Sequence, residues 1–457
     1  MDSPTLERKQ LTFPTAQQAF QTSSNSFLLQ ARKEFGIQPF RMMTDYGDAV
    51  ILPTEFAGEI RNHPKLSFTG FEWHDIPLRP AMLDVVARMS SRVFVGEELC
   101  RDEHWLRITK EYTVNLFLAF TEITAWPPRL RRFVAPWIPR CRALRQQYEA
   151  AAQVLAPVLQ ARRAGQSELE EGKARREKKQ QHYNDALEWA GQVATRRGAA
   201  DYDVNKFQLT LSVAAIHTST DLLVQTLIDL AQHPAFVPRL RAEIAAVLRK
   251  HGWTKLALYH MKLLDSCIKE SQRLKPIGVG ESDTDYSHEA LMRRIVEEDF
   301  RLSNGLLLKK GNRIHIDTQR MRDPAIYPDP DEWDGARFAK LRAQPAPGRW
   351  ESASLLVSTS VDHLGFGHGE HACPGRFFAA NEVKVALCHL LMKYDLALVP
   401  GTDVRPVASG WATTCSVSVR MAMRRRPREH VELDIDDLAA GGGGGGGGGD
   451  ADADLAT

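Results

Sequence analysis

"HLGFGHGEHACPGRFFAANE", residues 363–382, sets one cysteine, Cys373, behind alternating glycines and just ahead of a segment of helical composition. Glycine is placed where backbone must bend sharply or come close to another group, so this loop is built to pass something. Three ligand chemistries compete for the thiol. A phosphate cradle is the weakest, because "GFGHG" (365–369) lacks the G-x-G-x-x-G spacing and no Lys-Ser/Thr follows. A zinc module from His363, His368, His371 and Cys373 has suitable ligand types, but it crowds all four into one short loop with no second pair upstream. A thiolate ligand to heme explains more: the glycines let the chain pass under a flat macrocycle, and the following helix N-terminus supports the negative sulfur.

Composition narrows the partner. The chain has 457 residues, 43% hydrophobic and 25% charged, which is ordinary for a globular protein with a large core. Its 59 basic and 57 acidic residues leave a net charge of +2, so no bulk field argues for nucleic acid, and a small molecule is the better expectation. Six scattered cysteines without a C-x-x-C pair or a secretory leader favour reduced thiols. A lone cysteine is more often a small buried hydrophobe than a ligand, and Cys267, Cys388 and Cys415 are read that way.

Outward from the loop, periodicity predicts a mainly α protein with a minor β-sheet region. "AANEVKVALCHLLMKY" (379–394), "MKLLDSCIKESQRLKP" (261–276) and "MLDVVARMSSRVFVGEEL" (82–99) read as helices, and "GNRIHID" (311–317) as a strand. "KFQLTLSVAAIHTSTDLLVQTLIDLAQHP" (206–234) is apolar on most faces and ends at Pro234, the pattern of a helix buried through the middle of a large protein. The centre of 142–197, "SELEEGKARREKKQQ" (167–181), carries both signs of charge and reads as a solvated helix end. Residues 431–457, with nine consecutive glycines and an Asp/Ala repeat, cannot bury enough apolar surface to offset ordering and are expected to be disordered.

"FGHGEHACPG" (366–375) resembles the heme-binding signature of the cytochrome P-450 monooxygenases, with Phe366, Gly369, His371, Cys373 and Gly375 in the matching places. Three further stretches fall in that family's order: "AAIHTS" (214–219), "KESQR" (269–273) and "PDEWDGARF" (330–338). The resemblance runs from about Tyr46 to Arg426, and its wording is most similar to filamentous-fungal members that serve secondary metabolism, including relatives of ent-kaurene oxidase. It implies heme b with Cys373 as the iron ligand, and His371 and Arg294 of "MRRI" as propionate donors. It further implies O2, electrons from NADPH through NADPH-cytochrome P-450 reductase, and a lipophilic terpenoid or polyketide substrate. The family location is the cytosolic face of the endoplasmic reticulum membrane. This chain shows no uncharged apolar run of membrane length and no anchor, so as written it is expected in the cytoplasm.

The motifs also have a physical reading of their own. Glu270 and Arg273, three apart on one helix, share a face; Arg337, from a distant loop, gives the carboxylate a second partner, and the trio reads as structural. Elsewhere an E-x-x-R would be a surface pair of little energy. Thr218 matches the alcohol that hands on protons, and His217 stands where most of the family has an acid; an imidazole titrates near neutrality and can relay a proton. Two departures stand out. Between "NHPKLSF" (62–68) and "EWHDIPLRP" (72–80) the family pattern skips several helices, the helix B'–C region, and "GESDTDYSHEA" (280–290) is a polar insertion. The expected organisation is a heme domain over 1–430, incomplete near 68–72, followed by the tail. The alternative is a catalytically inactive remnant or a faulty gene model.

Overall fold

Asp203 opens the helix around which the fold is built: its carboxylate accepts from the Lys206 amide at 3.0 Å, satisfying one of the free donors of a helix start. The structure, a computed structural model, describes residues 26–44, 47–60, 73–170, 183–199, 201–277, 290–344, 349–409 and 412–426. The charged centre of 167–181 lies mostly outside these residues; the insertion at 280–290 lies almost wholly outside them, and the tail from 431 on entirely so.

The chain divides into two units, Met1–Trp73 and His74–Thr457. In the first, helix α1 (26–35) and the hairpin of β1 (Phe40–Thr44) and β2 (Gly47–Ile51) bury Ala31, Phe40 and Met42 together; the short α2 (Ala57–Ile60) follows Pro53.

The second unit is mainly helical. In chain order its helices are α3 (Leu78–Phe94), α4 (Glu103–Thr124), α5 (Arg131–Val134), α6 (Pro139–Glu170), α7 (Ala186–Arg197) and α8 (Val204–Gln232). They continue with α9 (Val237–His251), α10 (Lys255–His260), α11 (Lys262–Leu274), α12 (Arg337–Arg342), α13 (Arg349–Ala353) and α14 (Arg376–Lys393). Strand β3 (His74–Pro77) pairs antiparallel with the last strand, which also pairs with the strand leaving α14, Tyr394–Leu398. Between α11 and α12, β4 (Ala290–Ile295) pairs with Arg313–Asp317 through a bulge after Leu291, and a two-residue ladder joins Phe300–Arg301 to Leu307–Leu308.

Two apolar clusters carry this unit, and α8 runs through both. Leu209 and Ile216 pack with Trp105 and Leu106 of α4 and Leu155 of α6. Further along α8, Leu222, Leu223, Leu227 and Leu230 pack with the Leu78–Met82–Val86 stripe of α3, spaced four apart, and with α9, α11 and α14. By length and composition α8 is the one described helix able to cross a membrane, yet every residue from Ser219 to Leu230 is buried within the fold. The seam between the clusters falls at Thr218.

Candidate functional site

Glycine geometry shapes the loop that carries Cys373. Gly367 and Gly369 have φ of +69° and +78°, which side chains with a Cβ resist. The turn is closed by the Cys373 amide donating to the Phe366 carbonyl at 2.8 Å and the Ala372 amide donating to Gly369 at 2.9 Å. Gly375 caps α14, so the thiol stands at the start of an 18-residue helix. Of the six cysteines, Cys373 alone is exposed; Cys100, Cys267, Cys388 and Cys415 are buried, and Cys141 is half-buried.

The loop is clamped from beneath by α11, in a way the sequence reading missed. Lys269 is fully buried and donates to the carbonyls of Leu355 and Ser358 at 2.7 and 2.9 Å, and burial drags its ammonium down to about 7. A lysine just before the E-x-x-R pair on a helix otherwise read as half-buried was the signal available. Gly365 sits directly on the same helix, where a Cβ would lie 2.5 Å from the Gln272 side chain. Arg376 donates to Val357 and Cys373 carbonyls at 3.1 and 2.9 Å, tying the loop to α14.

Glu270, Arg273 and Arg337 meet as expected. Glu270 takes Arg273 Nε and Nη2 at 2.8 Å each, and Arg337 Nε at 2.8 Å; both Glu270 and Arg273 side chains are wholly buried. Arg337 also donates to the carbonyls of Pro328, Asp329 and Glu332, and Arg273 to that of Met321. The surface-pair reading fails here. Asp329, at φ +48°, holds an unfavoured backbone form, and its carbonyl accepts from the Arg337 guanidinium.

Ala214 and Thr218, one turn apart, are the exposed stripe of α8 beside the seam. The Thr218 hydroxyl donates to the Ala214 carbonyl at 2.7 Å, which leaves its oxygen as an outward acceptor. His217 turns elsewhere. Its Nε2 meets the Lys110 carbonyl of α4 at 3.1 Å; a carbonyl only accepts, so Nε2 carries the proton, and burial pushes the imidazole below its ordinary range. The two neighbours therefore make separate contacts rather than a direct hydrogen bond.

His371 is exposed and Arg294 half-buried, with Arg294 Nη1 donating to the Arg293 carbonyl. The zinc reading does not hold: among the described residues no three His, Cys, Asp or Glu side chains converge as a metal site. His363 is buried against the Lys269 carbonyl and the Phe338 ring, and His368 Nδ1 faces the Thr359 hydroxyl. A single exposed thiol on a glycine-bent loop does suit a ligand that needs one sulfur and a flat approach. A cavity of about 760 Å³ lies between α6 and α7 and does not include Cys373 or Thr218.

A mainly helical unit with a minor sheet, and an exposed cysteine at a helix start, are features that suit a heme-thiolate class of protein. Residues 76–420 match the family model for cytochrome P450, and the chain belongs to that family of heme-iron oxidoreductases. It is 38% identical over 473 aligned positions to cytochrome P450 monooxygenase hepE of Aspergillus oryzae, covering 90% of this chain and 83% of that protein. Cytochrome P450 monooxygenase adrA of Penicillium rubens is 44% identical over 74% of this chain, which spans only 62% of adrA. Among solved structures, a retinoic acid bound cyanobacterial CYP120A1 shares the fold at a TM-score of 0.53 and 20% identity, covering 82% of this chain and 74% of that one.

Proposed function

We propose that this chain is a heme-thiolate monooxygenase that places one oxygen atom from O2 into a lipophilic secondary metabolite, a terpenoid or polyketide, with electrons from NADPH through NADPH-cytochrome P-450 reductase. One observation carries the reading: Cys373 is the exposed thiol, set by glycine turns at the head of α14. Heme b, when bound there, supplies the oxygen and one-electron chemistry. The chain's residues do the rest. Phe366, Gly369 and Gly375 shape the loop around the sulfur, and the exposed His371 and half-buried Arg294 would take propionates. Thr218 offers an outward oxygen in the seam, and His217, neutral with Nδ1 as its acceptor, stands beside it to handle protons.

The lipophilic substrate is supported by Val114, Phe117 and Leu118, apolar side chains left open on α4, the helix whose Lys110 carbonyl accepts from His217. We assign residues 1–430 to the heme domain and 431–457 to a tail, and take the location that the family resemblance implies, the cytosolic face of the endoplasmic reticulum membrane. We keep the B'–C region as absent, in line with a family match that begins only at residue 76. A chain short of that region also admits a second reading, a remnant that no longer turns over. Iron and heme content per purified chain separates the proposals. Near-stoichiometric heme in the parent, lost in Cys373→Ser, supports the monooxygenase; heme-free protein under heme-replete expression supports the remnant.

A further inference from the structure

Where the two apolar clusters meet, three helices bring polar side chains together with no charge to match. Glu382 of α14, Ser90 of α3 and Ser219 of α8 are 6%, 0% and 1% exposed. Ser90 Oγ donates to Glu382 Oε1 at 2.6 Å. Ser219 faces the same carboxyl; its hydroxyl and Glu382 Oε2 are both buried with no other partner, and a hydrogen bond between them completes both. The neighbouring hydroxyls of α8, Ser212, Thr218 and Thr220, instead donate to carbonyls four residues back.

Charged groups on the elements packed around α14 are engaged elsewhere. From α3, Arg88 and Arg92 go to Glu103 and Glu97, and Arg79 faces Asp221 and Cys415. From α8, Asp221 takes the Cys415 amide and His217 the Lys110 carbonyl. On α9, Arg241 pairs with Asp395 and Glu243 accepts from the Leu263 and Leu264 amides; on α14 itself Lys384 pairs with Asp265. Nothing cationic compensates Glu382, and burial raises its carboxyl from the ordinary 4.5 to about 7.

We propose that Glu382 is a positioning residue: its carboxyl, hydrogen-bonded to Ser90 and to Ser219, locks α14, the helix after Cys373, against α8, the helix of Thr218. The inference rests on the heme-thiolate reading for what the lock positions, though the lock itself does not need heme. Gln keeps the shape, the acceptor and a donor without an ionisation, and Val removes both bonds.

The full chain, Glu382→Gln and Glu382→Val are compared from pH 5 to pH 8, by thermal midpoint and by the reduced carbon monoxide spectrum. An acid whose folded value is raised gives stability that is whole below 4.5 and gone by about 7. The parent midpoint is therefore expected to fall several degrees relative to Glu382→Gln on going from pH 5 to pH 8. Over the same range the parent's strongly red-shifted band converts in part to the less shifted form, Glu382→Gln keeps it, and Glu382→Val has little of it at either pH. Parallel midpoints for parent and Glu382→Gln overturn the proposal. If no variant holds heme, the midpoints still decide the lock, and the missing band counts against the heme reading alone.

Discussion

Glu270 has no exit from its two arginines, so removing one is costly. Arg337→Ala strips away one guanidinium and leaves the carbonyls of Pro328, Asp329 and Glu332 without their donor. Breaking a buried ion pair by deleting one partner typically costs about 3–5 kcal/mol, because the remaining charge stays buried. Chemical denaturation of Arg337→Ala should show a loss of that order, and Arg337→Lys should recover little, since an ammonium cannot reproduce the planar fork. A loss below about 1 kcal/mol would be the behaviour of an exposed pair and would contradict the geometry. Glu270 and Arg273 were legible in the sequence because three-residue spacing is a local rule, whereas Arg337, 67 residues from Glu270, was legible only through the family resemblance. His217 was not: its partner, the Lys110 carbonyl, is 107 residues away, and no periodicity reports where a side chain of a nearly all-apolar helix will find an acceptor.

At the scale of elements, the Cys373 loop depends on α11 for its shape. Gly365→Ala places a methyl 2.5 Å from Gln272, which is itself buried, and overpacking of this kind costs about 1–3 kcal/mol. A thermal scan should show the drop, and Gln272→Ala in the same background should return part of it by opening the space; no drop would mean the loop rides higher off the helix. The sequence announced the glycines but not the clamp. Lys269 looks like an ordinary surface lysine until α11 is seen to be buried on all sides from Leu264 to Leu274, and then its two carbonyl partners become necessary. α8 was the opposite case: apolar residues on every face can be buried only by being surrounded, and α3, α4, α11 and α14 surround it.

The whole molecule responds to acid through histidines kept neutral inside it. Burial lowers His217 below 6.5, and burial with the nearby Lys269 cation lowers His363 much further. The unfolded chain therefore takes protons first, so the stability present above pH 6.5 is lost as pH falls from there toward the folded values. The thermal midpoint should decline from pH 7 to pH 5, and His363→Gln should flatten the decline; an unchanged slope would place His363 in contact with water. The division of the chain at Trp73–His74 lies just ahead of residue 76, where the match to the family model begins, a boundary that composition alone hides because both sides are ordinary protein. The central claim is iron under Cys373, and the absorption spectrum of the dithionite-reduced chain with and without carbon monoxide tests it most directly. A strongly red-shifted Soret band is the predicted result, and no heme, or only the less shifted band of a neutral ligand, would contradict it.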